Sequence, residues 1–218
     1  MRERAPTDGP GLFDLAEPDG GGEPGVDAPE STAPETVAGA RVPRATHSTL
    51  LATDGSCLRN PGGATGWAYV RSDGAWAFAG CPSGTNQIGE LQAVVLALTD
   101  HPDDALEIQC DSSYAIGCAT TWKRGWQRNN YVNSQRKTVS NLAIIRSLHE
   151  LIDARTAPLT FTKVKGHDLA NRWPLNTAVD VVCGQAAAAT ALTGRPVSDS
   201  GVMEVNWEAK ASKVIRRG

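Results

Sequence analysis

The stretch ATDGSCLRNPGG, residues 52–63, places an aspartate where a run of apolar and β-branched residues gives way to turn formers. Residues 48–53 read as a strand, and Gly55, Asn60, Pro61, Gly62 and Gly63 read as the loop that follows. Asp54 is therefore expected at a strand's end. A carboxylate in that place has two readings. It caps a turn by accepting from backbone N–H groups, or it faces groups brought in from elsewhere in the chain. Its neighbours in space decide between them.

Downstream, residues 66–70 (GWAYV) and 75–79 (AWAFA) flank Ser72-Asp73-Gly74, a hairpin signal, so the first three strands form an antiparallel meander. Leu91, Val94, Val95 and Leu98 recur at helical spacing until His101-Pro102 ends the helix, and Leu106, Ile108 and Cys110 alternate as a fourth strand. A strand-helix-strand passage of this length implies a parallel crossover and hence a mixed sheet. Two helices follow over 112–121 and 141–153, then a fifth strand over 158–164. A last helix runs from about Leu175 through Ala186-Ala187-Ala188-Ala189 to Gly194-Arg195-Pro196. The order β-β-β-α-β-α-α-β-α is that of an α/β domain.

The 218 residues suit one domain with appendages. Residues 1–45 hold 7 of the 13 prolines and 7 of the 22 glycines, with nine acidic residues against four arginines. Composition predicts a disordered acidic arm there, a domain over 46–194 and a tail over 195–218, with Val202, Val205 and Trp207 able to pack back. The net charge of -3 conceals a body of about +2. No apolar run follows Met1-Arg2-Glu3-Arg4-Ala5-Pro6, and none reaches the length of a membrane span, so a soluble, cytoplasmic protein with no membrane partner is expected. The five cysteines form no C-x-x-C pair and are odd in number, which points to reduced, mostly buried thiols.

Asp111 ends the fourth strand as Asp54 ends the first, and the crossover makes those strands parallel neighbours, so the two carboxylates are expected to meet at one edge. Glu90 lies one position before the apolar stripe of the first helix, where a solvated residue is the ordinary reading and a helix packed across the sheet would point it at the same edge. Asp180 sits in Val179-Asp180-Val181-Val182, an apolar setting in which an unpaired charge is costly. Four acids at one point repel one another unless cations hold them. Hard oxygen ligands suit Mg²⁺ or Mn²⁺, and no Cys/His spacing points to zinc. Two such ions about 3.5–4 Å apart clamp the attacking water and the leaving oxygen of a phosphodiester. The competing reading is four unrelated surface acids.

From about residue 49 to 192 the chain resembles the bacterial type I ribonucleases H. The resemblance is carried in order by Thr53-Asp54-Gly55-Ser56-Cys57 with Asn60-Pro61-Gly62, Thr85-Asn86 with Glu90-Leu91, and Asp111-Ser112-x-Tyr114. Lys123-Arg124-Gly125-Trp126, Val164-Lys165-Gly166-His167 and Asn176-x-x-x-Asp180 complete it. It implies the ribonuclease H fold, with a five-stranded mixed sheet and helices packed on it. It also implies hydrolysis of the RNA strand of an RNA–DNA hybrid to 5′-phosphate and 3′-hydroxyl ends. The implied metal ligands are Asp54, Glu90, Asp111 and Asp180, holding two Mg²⁺ ions for which Mn²⁺ substitutes, and His167 joins them in proton transfer or product release.

Discrimination of a hybrid requires contacts to the RNA 2′-hydroxyls. The Cys57 backbone, Asn60, Asn86, Gln87 and Ser112 suit that role, and the resemblance implies a phosphate pocket at Thr85 and Asn141 and a Trp122 surface against DNA sugar. Lys123 and Arg124, with Arg128, Arg136 and Lys137, form a basic handle shorter than in well-studied relatives. Gln87-Ile88-Gly89 departs from the usual Asn-Arg-Met. The 12 residues between His167 and Asp180 make a longer loop than usual. The alternatives are a non-catalytic hybrid-binding module, or another two-metal nuclease of the same fold such as an exonuclease or resolvase. A monomer is expected. Gly11-Leu12-Phe13-Asp14-Leu15 reads either as residual hydrophobicity in a linker or as a docking motif for a replication or repair partner.

Overall fold

A computed structural model describes residues 48–208. The arm expected over 1–45, with its apolar cluster at 11–15, and the chain beyond 208 lie outside the described residues. Strands β1 (Thr49–Cys57), β2 (Gly63–Arg71) and β3 (Ala75–Gly84) form the antiparallel meander. β4 (Leu106–Cys110) lies parallel to β1, and β5 (Leu159–Lys163) parallel to β4. The helices are α1 (Asn86–Asp100), α2 (Ser113–Ala119), α3 (Lys123–Arg128), α4 (Leu142–Ala154) and α5 (Pro174–Thr193).

Two elements differ from expectation. The sheet has six strands, not five: β6 (Val197–Val202) pairs antiparallel with β3, giving the order β5-β4-β1-β2-β3-β6. The residues expected as a tail thus begin as a strand. An edge such as β3 presents unpaired N–H and C=O groups, and backbone pairing satisfies them whatever the side chains. Ser198, Asp199 and Ser200 carry no apolar alternation, so the strand left no periodic signal. The second addition is α3, where the ring of Trp126 sits 5.4 Å from that of Trp122, the residue preceding the helix, and both pack against the core.

The period of two in β1 distributes its side chains between two cores. Leu51 joins Leu91, Val94, Leu98, Ile108, Ile145 and Leu148 beneath α1 and α4. Ala52 joins Ala68, Val70, Leu175, Val179, Val182, Cys183 and Val205 beneath α5. The result is helix, sheet and helix in three layers. Asp54 follows Ala52 by two residues and so belongs to the α5 side.

Candidate active site

Asp54 does not lie at the end of β1. Its strand continues to Cys57 against β2, with Asp54 opposite Ala68. Along the other edge, the pairing of β1 with β4 stops at Thr53 and Cys110, one residue before Asp54 and Asp111. The two aspartates therefore stand at equivalent places just beyond the end of a parallel ladder.

Close backbone contacts bring the other acids in. Gly55 lies so near α1 that a Cβ on it would fall 2.2 Å from the Gly89 carbonyl carbon and 2.3 Å from the Glu90 nitrogen. Only a glycine lets α1 rest directly on β1 at Gly89 and Glu90, which fixes where Glu90 stands. Ser112, the cap of α2, donates from Oγ to Glu90 Oε2 at 2.5 Å and accepts from the Ala115 N–H at 3.1 Å. Asp180 projects from α5, one helical turn before Cys183, and Asp54, Asp180 and Cys183 present ligand atoms within 4.8 Å of one another.

Asp54 is 9 % exposed and accepts from the Gly55 N–H at 2.7 Å. Burial first, then the charges of Asp111, Asp180 and Glu90, push its carboxyl from an ordinary 3.8 up to about 8, opposed by the Gly55 bond. Glu90 is raised by burial and by Asp111, with Ser112 and Lys163 working against them. Asp54 thus feels all three other acids. Cys183 is no hard-metal ligand: burial and the neighbouring carboxylates raise its thiol, which donates to the Asp180 carbonyl at 3.3 Å. What is left is an all-oxygen donor set with excess negative charge, the chemistry that suits Mg²⁺ or Mn²⁺.

The loop after β5 supplies the rim. A Cβ on Gly166 would fall 2.2 Å from Asp111 Oδ2, so the loop backbone rests on that carboxylate. His167, in the left-handed region at φ 48°, is exposed and holds Nδ1 3.4 Å from Asp180 Oδ2.

Several residues expected to contact substrate also make bonds within the protein. Asn86 Oδ1 accepts from the Cys57 N–H at 3.0 Å, and Asn60 Oδ1 accepts from the Asn86 N–H at 3.2 Å. Thr85 Oγ1 caps α1 by accepting from the Ile88 N–H at 3.1 Å. Asn141 donates to the Tyr114 hydroxyl at 3.2 Å. Gln87 is half-buried in the first turn of α1. Lys123 is paired with Asp153, which also accepts from Gln127 Nε2 at 2.7 Å, whereas Arg124, Arg128, Arg136 and Lys137 are exposed. Trp122 packs on the core and lines a groove with Ser113, Ile116, Thr121 and Lys163. Lys163 belongs to no motif and has no signal in the sequence. Its ammonium donates to the Asp111 carbonyl from the last residue of β5, opposite Cys110.

Known proteins share both the fold and part of the sequence. The RNase H family model matches residues 46–188. The chain belongs to the RNase H family. Among curated relatives it is 37 % identical over 152 residues to a protein of Streptomyces coelicolor named ribonuclease HI, covering 66 % of this chain and 64 % of that one. It is 36 % identical over 141 residues to a ribonuclease H of Tropheryma whipplei, covering 63 % and 83 %. With a ribonuclease H of Anaeromyxobacter dehalogenans it shares 34 % over 179 residues, covering 76 % and 90 %. The fold of this RNase H chain also matches LC9-RNase H1, a type 1 enzyme with a type 2 active-site motif. That match has a TM-score of 0.55 at 19 % identity and covers 73 % of this chain and 80 % of that one. A foamy viral protease-reverse transcriptase in complex with RNA/DNA hybrid matches with a TM-score of 0.54 at 17 % identity, over 75 % of this chain and 23 % of that one.

Proposed function

We infer that this chain is a ribonuclease H, a metal-dependent endonuclease that hydrolyses the RNA strand of RNA–DNA hybrids and leaves 5′-phosphate and 3′-hydroxyl ends. The observation that carries the reading is geometric: Asp54 and Asp111 follow the last pair of one parallel ladder, Asp180 offers a ligand atom within 4.8 Å of one on Asp54, and Gly55 packs against the backbone of Glu90. A purely structural role does not account for that cluster, since uncompensated buried charge is destabilising. Its use is to hold cations.

Asp54, Glu90, Asp111 and Asp180 would hold two Mg²⁺ ions, with Mn²⁺ able to substitute. Bound there, the ions supply Lewis-acid activation of water and of the scissile phosphate. The chain's own residues do the rest. Ser112 fixes the Glu90 carboxylate through its 2.5 Å bond, and Gly166 backs Asp111. His167 stands in solvent beside Asp180, where Nδ1 exchanges protons between bulk water and the site. Ser112, bonded to Glu90, and Gln87, three residues before Glu90 in α1, are the groups offered to an RNA 2′-hydroxyl. Arg124, Arg128, Arg136 and Lys137 are exposed and free to meet phosphates, and Trp122 lines a groove with Lys163, whose ammonium donates to the Asp111 carbonyl. Among the described residues no helix is long and apolar enough to cross a membrane. The five cysteines are free thiols, four of them buried, which suits a reducing compartment such as the cytoplasm, and the proposal extends to work there as a monomer.

The test uses purified protein, Mg²⁺ and four labelled substrates: RNA–DNA hybrid, double-stranded RNA, double-stranded DNA and single-stranded RNA. Cleavage of the hybrid alone is expected, and its loss in Asp54→Asn and Asp111→Asn with hybrid binding retained. Binding without cleavage by the wild type would select a hybrid-binding module instead, and cleavage of double-stranded DNA would select another nuclease of this fold.

A further inference from the structure

The loop that carries His167, residues 164–173, is closed on itself. Arg172 donates from Nε and a terminal nitrogen to the two Asp168 carboxylate oxygens, each at 3.0 Å, and its backbone N–H donates to Oδ2 at 2.9 Å. The Asn171 N–H adds a bond to the Asp168 carbonyl at 2.9 Å. These bonds make a stiff turn. They do not by themselves decide where that turn sits over the acids.

That is decided at Asn171. It is 6 % exposed, in the left-handed region at φ 52°, and its amide donates to the Asn206 carbonyl at 3.1 Å and the Glu208 carbonyl at 2.8 Å. Both amide hydrogens are used, while Oδ1 is buried without a partner, an arrangement that favours two donated bonds over full satisfaction of the side chain. The accepting carbonyls lie in the segment that follows β6. Asn206 Oδ1 shapes that segment by accepting from the Glu208 N–H at 3.0 Å. Val205 roots it in the core beneath α5, and the Met203 N–H ties it to the Gly74 carbonyl at 2.9 Å. By contrast, His167 is 82 % exposed in its side chain, and among the described residues its one polar partner is Asp180 at 3.4 Å.

We propose that Asn171 is a positioning residue, clamping the His167 loop to the segment 203–208 so that His167 is held at the acid cluster. The proposal rests on the ribonuclease H reading for its kinetic consequence. It gives β6 and the residues after it a part in catalysis: they carry an anchor for a loop whose length would otherwise let the histidine wander.

The test compares the full-length wild type with Asn171→Gly, Asn171→Asp, His167→Ala and the double variant His167→Ala with Asn171→Gly. Glycine accepts the left-handed backbone and removes the amide. Aspartate keeps the shape but faces two carbonyls without hydrogens to give. Both single Asn171 variants are expected to lose roughly 10- to 100-fold in kcat on the hybrid, with KM changed less than about 2-fold, the effect of misplacing a group by about an ångström. In the His167→Ala background Asn171→Gly should cost nothing further. An unchanged kcat in the folded single variants, or an equal loss in both backgrounds, overturns the proposal. Amide hydrogen exchange reads the clamp independently of activity. Asn171→Gly should deprotect 164–173 and 203–208 together, and unchanged protection overturns the clamp even if the wild type proved to cut no hybrid.

Discussion

Replacing Asp54 by asparagine should stabilise the metal-free protein, increasingly so as the pH rises. Asp54 titrates near 3.9 in an unfolded chain but near 8 in the fold, because burial and then Asp111, Asp180 and Glu90 disfavour its charge. A carboxyl raised by folding contributes stability that is complete below about pH 4 and is lost progressively as the pH climbs to about 8. At about 1.36 kcal/mol per pKa unit the full effect is bounded near 5–6 kcal/mol, and relaxation of the neighbouring acids brings the expected value to on the order of 2–5 kcal/mol. Asparagine keeps the shape and the Gly55 contact without the charge. Thermal unfolding in EDTA at pH 9 should therefore place Asp54→Asn above the wild type by roughly 5–15 °C, taking about 2–4 °C per kcal/mol for a domain of this size. Near pH 4 the two should converge. Saturating Mg²⁺ at pH 8 should narrow the gap, since a ligand at about 100 times its Kd adds about 2.7 kcal/mol to the protein that binds it. Equal melting points at pH 9 without metal, or a less stable Asp54→Asn, would refute the convergence of charge on Asp54.

Gly166→Ala places a methyl group 2.2 Å from Asp111 Oδ2 and should lower kcat at least roughly tenfold with a near-native circular dichroism spectrum; full activity would show the contact to be slack. His149 is buried, donates from Nε2 to the Cys118 carbonyl at 2.9 Å and faces the Tyr131 hydroxyl at 3.1 Å, and burial holds its pKa below the ordinary 6.5. A group lowered in this way withdraws stability as the pH falls below about 6.5. Urea unfolding between pH 7 and 5 should thus show a shallower decline for His149→Gln than for the wild type, and equal slopes would sink the assignment. Arg124→Ala should raise KM several-fold and flatten the salt dependence of hybrid binding by roughly one counterion, leaving the melting point unchanged. Lys123→Ala should instead cost roughly 0.5–1 kcal/mol in stability through the lost Asp153 pair, with little change in KM. The reverse pattern would exchange their roles.

The meander, the parallel crossover and α1, α4 and α5 are legible in the sequence because each buries one face, and burial on one face imposes a period. β6 is not legible. It is held by backbone pairing to β3, and Val197-Ser-Asp-Ser-Gly-Val202 needs no apolar alternation for that. The position of Asp54 is half legible. Gly55 has the look of the first turn former, but it continues β1 because its missing side chain admits α1, a packing requirement with the appearance of a breaker.

In the candidate site, Asp54 and Asp111 are legible from their places on parallel neighbouring strands and Asp180 from its apolar setting, whereas Glu90 enters through the family resemblance. Contacts between polar groups are not legible, since a sequence shows what a side chain can bond and not what it already bonds. Asn86, Thr85 and Asn141 all have the donors and acceptors a nucleic acid needs, yet each meets a neighbour within the fold: the Cys57 N–H, the Ile88 N–H and the Tyr114 hydroxyl. The same holds for the basic pair in α3. Lys123 and Arg124 are adjacent and alike in charge, but successive helix positions point about 100° apart. One meets Asp153 on α4 and the other meets solvent. A count of positive charge along the chain therefore overstates the charge left unpaired at the surface: Arg124, Arg128, Arg136 and Lys137 are exposed, whereas Lys123 is paired with Asp153.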